Sequence, residues 1–95
     1  MERPEVYKLI DGEREYQELR WNKDTTISEG VHSVEEWFLY IEDYINEAKH
    51  ILTRNARQKS DQPAMEIMRK VAAMAVCAME QHETKPRFIP EGMRK

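Results

Sequence analysis

The chain contains only one cysteine, Cys77, and only three glycines in 95 residues. A single cysteine excludes an internal disulfide bond and a zinc site built from several thiolates. The glycine pattern of a phosphate-binding loop is absent. No serine lies in the nucleophile-elbow motif of serine hydrolases. The sequence therefore carries none of the motifs that identify disulfide-stabilised, P-loop or serine hydrolase proteins.

The chain also lacks a strong excess of one charge and a long apolar segment. Its net charge is -3, which argues against a general nucleic-acid binder, and we predict no sequence-specific nucleic-acid partner. The longest apolar run covers residues 71–79, whereas a helix that spans a bilayer needs ~20 apolar residues. Charged residues begin at Glu2 and no signal-peptide pattern follows, so we predict a cytoplasmic protein without membrane contact.

The apolar run from Val71 to Met79 is the clearest structural signal in the sequence. It is bracketed by charged residues, among them Arg69, Lys70 and Glu80. As a helix it is apolar on every side, and such helices are buried. A chain of this length has little interior in which to surround one. We therefore predict an all-α protein of three helices that assembles as a homo-oligomer through its second and third helices.

Apolar periodicity and capping residues predict one domain with helices at about residues 4–21, 33–54 and 61–82, and an irregular tail at residues 83–95. Pro4 suits the first turn of the first helix. Gly12 weakens the middle of that helix, so a start as late as Asp11 is the alternative.

The second and third helices carry clearer start signals. Ser33 and Glu36 fit a capping box before the second helix. Its apolar positions then recur at alternating spacings of four and three residues, at Val34, Phe38, Ile41, Ile45, Ala48 and Leu52. Ser60 or Asp61 can cap the third helix, with Pro63 in its first turn.

One enzymatic alternative is Mg²⁺-dependent hydrolysis of nucleoside triphosphates. The all-α pyrophosphatases of the MazG kind hold Mg²⁺ with carboxylates paired three residues apart on two helices. Glu15 and Glu18 have this spacing, and the second helix offers Asp43 and Glu47. The second half of the family signature, Glu followed three residues later by Asp, does not occur in the chain. We assign no catalytic residue, metal ligand or cofactor.

Binding of a small anionic ligand fits the sequence better. Arginine binds phosphate in a bidentate manner, and tryptophan and tyrosine stack on bases. If the first and third helices pack together, Arg20 and Trp21 approach Arg69 and Lys70. The residues predicted to hold phosphates are Arg20, Lys23, Arg69, Lys70 and Arg87. Those predicted to stack on bases are Tyr16 and Trp21, and those predicted to contact polar base edges are Gln17, Glu80 and His82.

A third interpretation is a protein-binding inhibitor or scaffold without a small ligand. Such a protein would expose an apolar patch in place of a charged pocket. The charged residues near the predicted helix ends make this the weaker of the two binding hypotheses.

Several short strings in the chain resemble a known group of proteins. The strings are Glu15-Tyr16-Gln17 with Trp21, Glu36-Trp37, Tyr40-Ile41, Asp43-Tyr44, Arg69-Lys70-Val71-Ala72-Ala73, Met79-Glu80-Gln81-His82 and Arg87. Over residues 13–87 they resemble short phage and prophage proteins. The general plan is also similar to phage sponge proteins, which sequester cyclic-nucleotide or ADP-ribose-type signals of bacterial immunity. The resemblance implies a phage accessory protein that binds such a signal without catalysis.

Overall fold

A computed structural model of the chain describes residues 1–25, 28–54 and 60–94. It contains three α-helices, α1 (Arg3–Arg20), α2 (Val34–Arg54) and α3 (Gln62–His82), and one 3₁₀ turn at Glu91–Met93. No strand occurs within these described ranges. The predicted all-α class with three helices is thereby confirmed. In the same ranges, no helix is long and apolar enough to cross a membrane.

α1 begins earlier than its glycine suggested. Pro4 lies in the first turn, and the Glu2 backbone N–H donates to Glu5 Oε1 at 3.5 Å. The helix continues through Gly12 without a break, so the alternative start at Asp11 is wrong. A Cβ added to Gly12 would meet no atom within 4 Å. The glycine therefore weakens only the local helix propensity, by about 1 kcal/mol, and the packing of α1 on α3 offsets this cost.

α2 begins with the predicted capping box. The Ser33 backbone N–H donates to Glu36 Oε1 at 2.9 Å, and the Glu36 backbone N–H donates to Ser33 Oγ at 3.1 Å. The hydrogen bonds from the Ser33 backbone and side chain lower the pKa of the Glu36 carboxyl below its ordinary value. The ionised form of Glu36 is therefore favoured by folding.

Glu36→Gln is expected to lower the melting temperature near pH 7 but to have little effect in acid. The folded-state pKa of Glu36 lies below the unfolded-state value. The ionised carboxylate therefore adds to the stability of the folded state at any pH above the unfolded-state pKa. This stabilisation is lost as the pH falls through the folded-state pKa. Thermal unfolding followed from pH 7 to about pH 3 measures the difference. Glu35→Gln, in the same exposed first turn, is the control. Equal pH dependence in both variants would contradict the role given to the capping box.

α3 is capped by a serine placed one residue before its N-cap position. The Gln62 backbone N–H donates to Ser60 Oγ at 3.1 Å, and Pro63 lies in the first turn. Asp61 occupies the N-cap position without a capping hydrogen bond from its side chain. Of the two predicted capping residues, Ser60 therefore supplies the side-chain contact.

α3 is the common partner of the other two helices. Both α1 and α2 pack against it, and no Cα atom of α1 lies within 8 Å of a Cα atom of α2. α2 runs antiparallel to α3, because Trp37 near the start of α2 bonds to Gln81 at the end of α3 while Tyr44 lies against Lys70. The three helices thus form a row with α3 in the middle.

The core is small and lies mainly between α2 and α3. Trp37, Met74 and Cys77 form a buried cluster. Trp21, Ile41, Tyr44 and Ala78 pack around this cluster. Within the apolar run, Ala73 is fully buried but Met79 is exposed. The helices of a single chain therefore cover only part of the run.

Candidate functional site

A polar cavity of about 210 Å³ lies between α1, α2 and α3. We call it the polar chamber. Its lining residues are Glu13, Tyr16, Gln17, Arg20, Trp21, Tyr44 and Lys70. Five of the residues predicted to bind a ligand are among them, namely Tyr16, Gln17, Arg20, Trp21 and Lys70. The packing of α1 on α3 brings these five together, as the sequence analysis assumed.

Gln17 is the buried polar side chain of this chamber and is only 2% exposed. Its Nε2 donates to the Lys70 backbone oxygen at 3.2 Å. Because that partner is an acceptor, the amide nitrogen must face it, which fixes the orientation of the amide group. The amide oxygen is consequently buried without a hydrogen-bond partner in the described part of the chain. A buried acceptor without a hydrogen bond lowers the stability of the folded state by about 1–3 kcal/mol. The position of this amide oxygen beside a cavity therefore points to a role other than stabilising the fold.

The polar chamber carries positive charge. The Lys70 ammonium lies 4.7 Å from the centre of the Tyr44 ring, a cation–π contact. The Arg20 side chain forms no ion pair among the residues that the structure describes. The one carboxylate in the lining, Glu13, is neutralised by Arg69 at 2.8 Å. Two cations therefore face the chamber with little compensation from acidic groups, which favours an anionic ligand.

A second cavity of about 260 Å³ adjoins the polar chamber. We call it the aromatic chamber. Its lining residues are Trp21, Ser28, His32, Trp37, Tyr40, Tyr44 and Met74. Trp21 and Tyr44 line both chambers. The His32 ring meets the Trp37 and Tyr40 rings edge to face, with centroids 4.9 and 4.8 Å apart. Trp21 and Tyr44 thus have a charged cavity and an aromatic cavity beside them.

Gln81 ties the loop between α1 and α2 to α3 and so shapes the aromatic chamber. Its Oε1 accepts the Trp37 indole N–H at 2.9 Å and the His32 backbone N–H at 3.3 Å. Its Nε2 donates to the Gly30 carbonyl at 2.7 Å. Gly30 has a φ of +78°, and a Cβ there would lie 2.9 Å from the Trp21 carbonyl oxygen. Only glycine fits this position, which brings the loop close to Trp21.

The other predicted ligand residues lie outside the two chambers. Arg69 lines neither chamber and pairs with Glu13, a lining residue of the polar chamber. Glu80 accepts two hydrogen bonds from Arg14, at 3.0 and 3.1 Å. The His82 Nε2 donates to the His32 carbonyl oxygen at 2.7 Å, where it supports the loop. Lys23 and Arg87 are exposed, in the loop and in the tail respectively. The structure therefore separates Arg69 from Lys70, although they are adjacent in sequence.

Sequence reasoning assigned no ligand role to four residues of the aromatic chamber, Trp37, Tyr40, Tyr44 and His32. Trp37, Tyr40 and Tyr44 recur at intervals of three and four residues on α2, which places them along one side of the helix. The same spacing is typical of a core or interface stripe. His32 lies in the loop just before this helix. Aromatic side chains that line a cavity and those that fill a core share one pattern, so the pattern alone does not separate the two.

The residues of the enzymatic alternative do not converge. Glu15 and Glu18 are exposed on α1, and Asp43 and Glu47 line an open depression of about 530 Å³ formed by α2 residues alone. No three acidic, histidine or cysteine side chains within residues 1–25, 28–54 and 60–94 are grouped closely enough to hold a metal ion. Burial raises the pKa of the Cys77 thiol, which keeps it protonated and unsuited to nucleophilic attack.

Comparison with known proteins gives no relative from which a function can be transferred. No protein-family model matches the chain, and no curated protein or solved structure is similar to it.

Proposed function

We propose that the chain is a non-catalytic binding protein for a small nucleotide-derived signal of the cyclic-nucleotide or ADP-ribose type. The carrying observation is the pair of neighbouring cavities, since the positively charged polar chamber and the aromatic chamber share Trp21 and Tyr44 as lining residues. In line with the resemblance stated above, we propose that it acts as a phage accessory protein in the host cytoplasm and sequesters such a signal.

The two chambers match the two parts of a nucleotide. Phosphate oxygens are matched by the Arg20 guanidinium and the Lys70 ammonium, which supply charge and hydrogen-bond donors. A base is matched by the aromatic chamber, where stacking on an aromatic side chain contributes about 1–3 kcal/mol per base. Gln17 adds a polar group between the two, since its unpartnered oxygen can accept from a ligand N–H or O–H group. None of these roles requires bond cleavage.

The proposal includes assembly as a homo-oligomer through α2 and α3. Support comes from the apolar seam of α2, on which Phe38 is 71% exposed and Ile45 and Leu52 are also exposed. Met65, Met68 and Met79 on α3 are exposed as well. Apolar side chains at this density on two neighbouring helices are typical of surfaces that a further subunit covers.

The proposed binding is tested by titrating the protein with a cyclic dinucleotide and with ADP-ribose in a calorimeter. Lys70→Ala is expected to weaken the binding of a recognised probe at least tenfold, because it removes a charge-assisted contact to phosphate. Lys8→Ala is the matched control, since Lys8 is an exposed lysine of α1 that lines neither chamber. Equal affinity in wild type and Lys70→Ala would overturn the assignment of the polar chamber.

Gln17→Leu separates binding from stability in the same assay. The substitution removes the unsatisfied amide oxygen together with the hydrogen bond to the Lys70 carbonyl. These two losses act in opposite directions, so the melting temperature is expected to stay close to that of the wild type while ligand binding is lost. A variant that both melts earlier and binds less would make Gln17 a structural residue. Hydrolysis of a nucleoside triphosphate by the wild type with Mg²⁺ would instead favour the pyrophosphatase alternative, and the absence of binding and of turnover would favour a protein partner.

A further inference from the structure

The part of the polar chamber that α1 forms carries hydrogen-bond acceptors in addition to the two cations described above. Glu13 and Gln17 are four residues apart on α1, and both line the polar chamber. Residues with this spacing are neighbours on one face of a helix. The Glu13 side chain is 9% exposed, and Gln17 is 2% exposed. The polar chamber therefore contains two adjacent acceptor side chains that are almost fully enclosed.

Both side chains are fixed by α3 and keep capacity for a further hydrogen bond. Glu13 Oε1 accepts from Arg69 Nε at 2.8 Å, and an ionised carboxylate can accept about four hydrogen bonds in total. Gln17 Nε2 donates to the Lys70 carbonyl oxygen, and Gln17 Oε1 has no partner in the described part of the chain. The two acceptors are therefore held in place before a ligand binds.

A phosphate group alone does not satisfy this arrangement. The oxygens of a phosphodiester or a pyrophosphate only accept hydrogen bonds, so they match Arg20 and Lys70 but offer no donor to Glu13 or Gln17. The part of the ligand that enters the polar chamber must therefore carry donors close to its anionic group. The hydroxyl groups of a sugar meet this requirement, because in a nucleotide the sugar is bonded directly to the phosphate.

The N–H groups of a base are the other donors that a nucleotide offers. The aromatic rings on which a base stacks line the aromatic chamber, so the base is assigned there and the sugar supplies the donors in the polar chamber. An acidic side chain that accepts from a ribose hydroxyl is a recurring device of nucleotide-binding proteins. Two adjacent acceptors match two adjacent hydroxyl groups, which a ribose has when its 2′ and 3′ oxygens are both free.

We propose that the polar chamber recognises a ribose with free 2′ and 3′ hydroxyl groups beside a phosphate. Glu13 and Gln17 accept from the two hydroxyls, and Arg20 and Lys70 bind the phosphate. This inference rests on the proposed binding of a nucleotide-derived signal, and it narrows the ligand to the ADP-ribose class. ADP-ribose has such a hydroxyl pair on each ribose, whereas a cyclic dinucleotide with 3′–5′ linkages has none, because each 3′ oxygen is esterified.

Calorimetric titration of the wild type with ADP-ribose and with 3′–5′-linked cyclic di-AMP gives the first test. ADP-ribose is expected to bind at least tenfold more tightly, because a ligand without the hydroxyl pair leaves buried acceptors unpaired. Cyclic di-AMP that binds equally or more tightly overturns the hydroxyl-pair proposal and leaves the proposed function in place. If neither compound binds, the proposed function fails and this inference fails with it.

ADP and its 2′,3′-dideoxy analogue test the hydroxyl pair without a change in the rest of the ligand. Both are measured by the displacement of bound ADP-ribose from the wild type. The dideoxy analogue is expected to bind at least tenfold more weakly than ADP. Equal displacement by the two compounds, or no displacement by ADP, overturns the proposal. This comparison needs no variant and so does not depend on whether a variant folds.

Glu13→Ala identifies the acceptor that reads the hydroxyl pair. The preference for ADP over its dideoxy analogue is expected to fall at least fivefold, because a hydrogen bond from the sugar to the carboxylate is removed. Asp11→Ala is the matched control, since Asp11 is an exposed acid of α1 that lines neither chamber. Circular dichroism checks that both variants fold. A purely structural role of Glu13 would weaken both compounds equally, and an unchanged preference in Glu13→Ala overturns its assignment.

Discussion

Trp37→Ala is expected to lower the free energy of unfolding by about 3–5 kcal/mol. The indole is 2% exposed and packs against Met74 and Cys77. Its N–H also donates to Gln81 Oε1 at 2.9 Å. The substitution leaves a cavity in a core that has few other large side chains to fill it, and it removes one of the two donors of the Gln81 oxygen. Urea denaturation followed by circular dichroism, at one fixed protein concentration, measures the loss.

Two further variants identify the origin of this effect. Leu39→Ala changes an exposed side chain on the opposite side of α2 and is expected to stay within about 0.5 kcal/mol of wild type. Trp37→Phe keeps most of the apolar volume but loses the N–H donor, so an intermediate loss is expected. If Leu39→Ala lowered the free energy of unfolding as much as Trp37→Ala, the loss would come from a general weakening of α2 and not from the buried core.

Ala73→Leu is expected to destabilise the fold by about 1–3 kcal/mol and to loosen α1. Ala73 is 0% exposed and lies one helical turn from both Arg69 and Cys77. On this face of α3, Arg69 pairs with Glu13, and the Lys70 carbonyl accepts from Gln17. The methyl group of alanine allows α1 to approach, whereas a leucine side chain would hold it away and lengthen both contacts.

Limited proteolysis combined with thermal unfolding measures this effect. Cleavage within α1 of Ala73→Leu is expected at protease concentrations that leave the wild type intact. Ala73→Ser changes the same position with little added volume and serves as the control. Resistance of Ala73→Leu equal to that of Ala73→Ser would contradict close packing at Ala73.

Local signals predicted the fold better than they predicted the contacts. The capping box of Ser33 and Glu36 depends on residues three apart, and the structure has it as predicted. The start of α1 was uncertain because Gly12 lowers propensity, whereas packing on α3 decides the outcome. The all-α class and the number of helices can be predicted from such local signals, because apolar residues recur at helical spacing within each segment of the sequence.

The candidate site depends on the rotation of each helix, which the sequence does not specify. Arg69 and Lys70 were predicted to act together, yet about 100° separates neighbouring side chains around a helix. Lys70 faces the polar chamber while Arg69 pairs with Glu13. Gln81 was not singled out, because its importance comes from reaching Trp37 and Gly30, which are distant in sequence.

The row of helices with α3 in the middle divides the packing between two interfaces, α2 with α3 and α1 with α3, and we expect each to open as its own unit. α2 is attached to α3 by the apolar cluster around Trp37 and Met74. α1 contacts α3 through the polar side chains of Glu13, Arg14 and Gln17, and Trp21 at its end packs around that cluster. Since α1 and α2 do not touch through their backbones, α1 can open while the α2–α3 hairpin persists, and its amide hydrogens would exchange with solvent through that opening. A ligand seated between Arg20, Tyr44 and Lys70 spans both units and would couple their opening into one event.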